Sequence, residues 1–225
     1  MNPIPIIYED SEIIVINKPA GLAVQGGAGI KHSLDKDFPL QINKDIYLVH
    51  RLDKETAGLM IVAKSPLAAS KWTRLINSGF VKKEYSAFCI GIPQKSSDTI
   101  RDSIESKGKS LQAVTHYNCA EKYTVKVENE SFPDVREISF SRLNLSIDTG
   151  RMHQIRIHLA NLKLPILGDD KHGDFKMNKI CKKLFGVKNL FLLSKKLYLG
   201  GKNDKNMKCF EIEDPEYFKK IYTFF

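Results

Sequence analysis

The chain has 225 residues, 42% hydrophobic and 27% charged, with a formal net charge of +9. This length allows one sizeable core or two closely fused lobes, and no apolar run approaches the roughly 20 residues that a membrane-spanning helix requires. The start, MNPIPIIYED, lacks the basic region, longer apolar stretch and small-residue cleavage site of a secretory signal, so the expectation is a soluble, cytoplasmic protein with no membrane partner.

Residues 4–19, IPIIYEDSEIIVINKP, read as two short apolar strands around a Glu9-Asp10-Ser11 turn, ending at Pro19. GLAVQGGAGIKHS then supplies a glycine-rich loop. In LVHRLDKETAGLMIVAKS, residues 48–65, Leu59, Met60, Ile61 and Val62 form a continuous apolar run, which predicts a strand buried on both faces with Asp53 at its mouth. Ser65 and Pro66 are N-cap and first-turn signals for a helix with Ala68, Trp72, Leu75 and Ile76 on one face, closing near Gly79. VKKEYSAFCIG alternates, so Val81, Lys83, Tyr85, Ala87 and Cys89 are expected on one side of a strand.

Residues 93–111 are polar and read as an exposed excursion, followed by strand patterns at 112–127 and at Leu143, Leu145 and Ile147. Met152, Ile155, Leu159 and Leu162 recur at spacings of 3, 4 and 3, which predicts an amphipathic helix over 152–162 with Arg156 beside its apolar stripe. Strands dominate without regular βαβ alternation, so the expected architecture is α+β, a mixed and mainly antiparallel sheet with flanking helices.

The excess charge is concentrated. Residues 163–208 hold twelve lysines against Asp169, Asp170, Asp174 and Asp204, a distribution suited either to a polyanion or to a generally basic surface. Cys89, Cys119, Cys181 and Cys209 include no close pair, so packed, inert thiols are expected rather than a disulfide frame or zinc knuckle.

Several motifs fail on inspection. Gly108-Lys109-Ser110 would need a glycine at 103, which is Ser103, so there is no P-loop. GGAGIKHS lacks the third glycine of a dinucleotide fingerprint, since His32 stands at that offset. His153 and His158 are five residues apart and point to different faces of a helix, so they do not chelate a metal as an i,i+4 pair would.

Three segments carry residue types that could act together: His50, Arg51 and Asp53; Lys83 and Tyr85; Arg151, His153, Gln154 and Arg156. HRLDKETAG, KKEY and TGRMHQIRIHLANLKLPILGD, with NKPAGLAVQGG before them, resemble the RluA-type pseudouridine synthases in the family's order from about residue 6 to residue 197. The resemblance implies a pseudouridine synthase catalytic fold with RNA in a central basic cleft. It also implies conversion of uridine to pseudouridine without a cofactor; a monomer and no metal site are expected as well.

On this resemblance Asp53 matches the catalytic aspartate, Arg156 the arginine that pairs with it, and Tyr85 the tyrosine at the uracil. Taken alone, these residues read as a loop or N-cap aspartate, a solvated helix arginine and a core tyrosine. On the RNA side stand Arg51, His50, Arg151, His153, Gln154 and Leu192. Arg51 matches an arginine that fills the gap left by the flipped nucleotide, though a phosphate-contacting or surface arginine fits the residue equally. His50, His153 and Gln154 are read as supports of the backbone around the site, and Leu192 as part of the wall against the base.

The sequence departs from the family pattern at Ala57, His172, Leu193 and Ser194. The catalytic pattern begins within the first ten residues, so the whole of residues 1–225 is expected to be one catalytic domain without the N-terminal S4-like domain many relatives carry. NKPAGLAVQGG is most similar to the branch acting on large-subunit (23S) ribosomal RNA. Transfer RNA, or a non-catalytic RNA-binding role in ribosome assembly, are the alternatives.

Overall fold

The computed structural model describes residues 2–106, 108–200 and 207–225. In chain order the elements are β1 (Ile6–Glu9), β2 (Ile13–Lys18), α1 (Leu34–Ile42), β3 (Tyr47–Leu48), β4 (Ala57–Ala63), α2 (Pro66–Asn77), β5 (Val81–Ile90), β6 (Ser97–Ser106), β7 (Lys109–Lys126), β8 (Glu137–Ile147), α3 (Gln154–Asn161), α4 (Phe175–Phe185), β9 (Leu192–Leu199), β10 (Lys208–Glu211) and α5 (Glu216–Ile221). Among the described residues no helix is long and apolar enough to cross a membrane. The chain divides into two compact units, Met1–Glu84 with Leu193–Glu213, and Tyr85–Leu192 with Asp214–Phe225.

In the first unit β1 and β2 form the expected antiparallel hairpin. Asp10 makes the turn, because its Oδ1 accepts the Glu12 and Ile13 N–H groups at 2.8 and 2.9 Å. β2 pairs antiparallel with β4 from Ile13–Ala63 to Lys18–Gly58, and all seven β4 residues are buried. Each large apolar side chain of β4 removed from water contributes roughly 1.5–3 kcal/mol, which makes this strand the rigid axis of the unit. β9 lies parallel to the start of β4, with Ala57 opposite Leu193 and Gly58 opposite Ser194. Gly58 has φ +113°, and a Cβ there would stand 2.3 Å from the Ser194 carbonyl oxygen, so this contact requires glycine.

Helix α2 starts as its sequence predicts, with Ser65 Oγ accepting the Ala68 N–H and Pro66 in the first turn. α1 was not expected: it follows the glycine-rich loop, buries Leu34 and Phe38 and contains Pro39. Gln41, near its end, both donates to and accepts from the Ile4 backbone at 2.9 and 2.7 Å.

In the second unit the sheet runs β5, β8, β7, β6. β7 pairs antiparallel with both neighbours. The polar stretch expected to be an exposed excursion is largely exposed, but Ser97–Ser106 of it is strand β6, whose register is set by ten pairings with β7. Its apolar pattern is weak because Ile104 is its only buried residue among those described. Phe88 on β5 meets Phe191, Phe218 and Tyr222 at ring-centroid distances of 6.0, 5.7 and 5.4 Å, so α5 and the turn after it close this core. The α+β class, mixed and mainly antiparallel, is the one expected.

The predicted helix over 152–162 is shorter, and its buried face is different. Met152 and Leu162, the ends of the proposed stripe, are 51% and 43% exposed. Gln154, Arg156 and His158 are buried along with Ile155 and Leu159, because each polar side chain finds partners inside the unit. Cys89 and Cys181 are buried free thiols, but Cys209 on β10 is exposed, contrary to the expectation of four packed cysteines.

Candidate active site

Asp53 lies in the first unit, in the segment joining β3 to β4, and is half-buried. Three of the contacts that fix that segment stand out. Where the two-residue β3 ends after pairing with Val62, the His50 ring takes over on β4, its Nε2 accepting the Ile61 N–H at 3.0 Å. An acceptor Nε2 is unprotonated, so His50 is the neutral tautomer with its proton on Nδ1. Burial, and then the nearby Lys83, hold its pKa well below 6.5. Thr56 N–H closes a turn onto the Asp53 carbonyl at 3.1 Å.

The third contact comes from a residue the sequence reading did not single out. Lys18, at the end of β2, is fully buried. Its Nζ donates to the carbonyls of Pro19 at 2.9 Å, Leu22 at 2.8 Å and Lys54 at 3.0 Å. All three ammonium protons are used, and one of them anchors the residue after Asp53. Burial draws the Lys18 pKa down to about 7, while Glu55 and Asp53 pull it the other way. Arg51, two residues before Asp53, is exposed.

Arg156 lies in the second unit on α3, 6% exposed. Its Nε donates to Asp169 Oδ2 at 2.8 Å and its Nη2 to Asp169 Oδ1 at 2.6 Å, a two-point grip that fixes the guanidinium plane. Asp169 Oδ1 also accepts the Lys171 and His172 N–H groups at 2.9 Å each. Burial alone would raise the Asp169 pKa, but Arg156 and the two amides outweigh it and hold the carboxyl below its ordinary value.

The backbone around Asp169 is equally constrained. Its carbonyl accepts from Asn178 Nδ2 at 2.9 Å and from Gly173 N at 3.1 Å. A Cβ at Gly173 would stand 2.2 Å from that carbonyl oxygen, so the turn closes only with glycine. Asp169 and Asn178 were not among the sequence candidates. A carboxylate between glycines 168 and 173 was the available clue, and its role depends on a partner thirteen residues earlier.

The remaining candidates in the second unit are placed as follows. Gln154 uses its amide inside the protein: Nε2 donates to Val114 O and Thr115 Oγ1 at 2.9 and 3.0 Å, and Oε1 accepts from Thr149 Oγ1 and Arg151 N at 2.7 and 3.1 Å. His153 is left-handed, with φ 55°, and its Nδ1 lies 2.8 Å from His172 Nε2. Arg151 is exposed, with Nε donating to Gln112 O at 3.4 Å. Tyr85 and Leu192 are 6% and 3% exposed. Of the lysine-rich segment, Lys202, Asp204 and Lys205 lie outside the described residues.

Chemically, the two units offer a carboxylate on an anchored loop and a guanidinium whose position is set by a second carboxylate. A family model described as RNA pseudouridylate synthase matches residues 12–161. A Rickettsia bellii protein named ribosomal large subunit pseudouridine synthase C is 36% identical over 218 residues, covering 96% of this chain and 70% of its own length. The protein of that name from Rickettsia felis is 38% identical over 207 residues, 86% of this chain and 64% of its own length. This chain thus spans about two thirds of the length of those relatives.

Among solved structures, human RNA Pseudouridylate Synthase Domain Containing 4 shares the fold with a TM-score of 0.74. It is 24% identical, with 96% of this chain and 90% of that one covered. On the match over residues 12–161 and the identity to these relatives, the chain belongs to the RNA pseudouridylate synthase family.

Proposed function

We propose that this chain converts specific uridines of large-subunit ribosomal RNA to pseudouridine, acting as a monomer and without a cofactor. The C1′–N1 glycosidic bond breaks, the uracil turns while held, and C1′ bonds to C5. The C5 proton leaves and N1 gains one, so the reaction is a balanced isomerisation. Asp53 is the carboxylate that works at C1′, by attack or by assisting elimination. Arg156 keeps that carboxylate ionised and oriented, and Tyr85 lies at the base.

The observation that carries this reading is the Asp53 loop itself. A half-buried carboxylate stands on a segment fixed by Lys18 and His50 at the mouth of a wholly buried strand, and a rigid mount of that kind suits a catalytic group. Arg51 and Arg151, both exposed, are the RNA-facing arginines. His50, His153 and Gln154 support the backbone, and Leu192 backs the base. Large-subunit RNA is favoured over transfer RNA because the relatives from R. bellii and R. felis carry that substrate in their names.

The test is pseudouridine mapping on ribosomal RNA incubated with the wild-type chain and with Asp53→Asn. The wild type should form pseudouridine. The variant should bind RNA with unchanged affinity and lose turnover by a factor on the order of 10⁴. Release of free uracil by the wild type, or full activity of the variant, would refute the assignment.

A further inference from the structure

Residues 175–188 contain five lysines and no acidic residue. Lys179, Lys182 and Lys188 line a concavity of about 260 Å³ together with Phe175, Asn178 and Asp170. Phe175, Asn178, Lys179 and Lys182 stand at i, i+3, i+4 and i+7, one face of α4. Lys188 comes from the loop after the Gly186 cap.

The charge here is clustered and left unneutralised by neighbouring carboxylates, unlike that of several lysines elsewhere. Lys64, Lys71, Lys95 and Lys196 each meet a carboxylate at 2.6–2.9 Å. Among the described residues no such ion pair engages Lys179, Lys182 or Lys188, and Asp170 is the only carboxylate lining the concavity. Beside these three cations Phe175 is 64% exposed.

Cations in a concavity with an uncovered aromatic ring suit single-stranded nucleic acid: lysines neutralise phosphates and the ring takes the face of a base. An acidic protein surface would use the charges and leave the ring without a purpose. The concavity also has a firm floor. Asn178 accepts the Gly168 N–H at 3.0 Å and donates to the Asp169 carbonyl at 2.9 Å, so it belongs to the same turn that grips Arg156.

We propose that this concavity is an RNA-contact site additional to the uridine site, holding phosphates of flanking RNA on Lys179, Lys182 and Lys188 and one base on Phe175. The proposal rests on the RNA-modifying function above. It assigns to α4 a part in holding the substrate that the uridine chemistry does not use.

The experiment uses the full chain, a ribosomal RNA fragment titrated across salt concentration, and a short uridine-containing oligonucleotide for turnover. K179Q/K182Q/K188Q should lower the slope of log affinity against log salt by about 2 and weaken fragment binding roughly tenfold or more. F175A should weaken it roughly tenfold with the slope unchanged. Both variants should keep the wild-type melting temperature and the wild-type turnover of the short oligonucleotide.

Unchanged slope and affinity in the triple variant overturn the proposal. So does a silent F175A combined with equal binding of an acidic peptide of matched charge. If the variants lose RNA affinity as expected but the wild type isomerises no uridine, the RNA site stands and the assigned reaction falls.

Discussion

In the first unit the Asp53 loop is held through its neighbours: Lys18 grips the carbonyl of Lys54, and His50 is docked on the Ile61 N–H. In the second unit Arg156 is held by its own head group, through two hydrogen bonds to one buried carboxylate. The contrast fits the roles proposed for the two groups. For a carboxylate that would change bonding during the proposed reaction, anchoring the chain beside it fixes its position without relying on the reacting group itself. A cation whose task is to stay in one place can be immobilised directly, and a bidentate partner does this with the least motion left over.

This comparison predicts that stability and activity separate at the two residues. Asp169→Ala strips a buried guanidinium of its bidentate carboxylate and should cost about 3–5 kcal/mol, a fall of roughly 10 °C in melting temperature for a chain of this size. Asp53→Asn should change stability by less than about 1 kcal/mol while activity collapses. Calorimetry on both variants measures the difference. Equal losses of stability would mean that Asp53 is a structural anchor of the same kind as Asp169.

A smaller but still large effect is expected at Lys18. Replacement by methionine leaves the Pro19, Leu22 and Lys54 carbonyls without their shared donor and should cost about 2–4 kcal/mol. The pH dependence sharpens the point. The folded-state pKa of Lys18, about 7, lies below its ordinary 10.5. Between those values the unfolded chain binds the extra proton, so the Lys18 contribution to stability is weakest below pH 7 and rises with pH across the window. Urea midpoints at pH 6.5 and pH 9 should show the gap between wild type and Lys18→Met widening at the higher pH.

The parts of the molecule legible in the sequence are those set by short-range pattern. The Asp10 turn, the apolar run of β4 and the Ser65-Pro66 start of α2 each lie within a few residues of the groups that cause them. Long-range satisfaction is what pattern misses. Lys18 looks like a solvated strand-end lysine until the carbonyl of Lys54, 36 residues on, is placed against it. Periodicity counts apolar residues only, so it runs the α3 stripe through Met152 and Leu162. The polar residues Gln154 and Arg156 are buried because Thr115 and Asp169 receive them. β6 was invisible for a related reason: an exposed strand is specified by its partner more than by its own side chains.

The smallest of the losses from a broken anchoring contact belongs to His50, where one acceptor is at stake. His50→Phe preserves the ring's bulk but removes Nε2, leaving the Ile61 N–H without the acceptor it meets at 3.0 Å, and should cost about 1–3 kcal/mol. The sign of its pH dependence is opposite in practice to that of a histidine held by a carboxylate. The folded-state pKa lies well below 6.5, so as pH falls through 6.5 the unfolded chain takes up a proton that the folded chain refuses. Wild-type stability therefore declines on acidification, by at most about 1.4 kcal/mol per pH unit from this group. The phenylalanine variant has no such term, so its deficit against wild type should shrink between pH 7 and pH 5. A deficit that grew instead would show that the imidazole is charged when folded, and the loop before Asp53 would then be held by an ion pair rather than by a neutral ring on a strand.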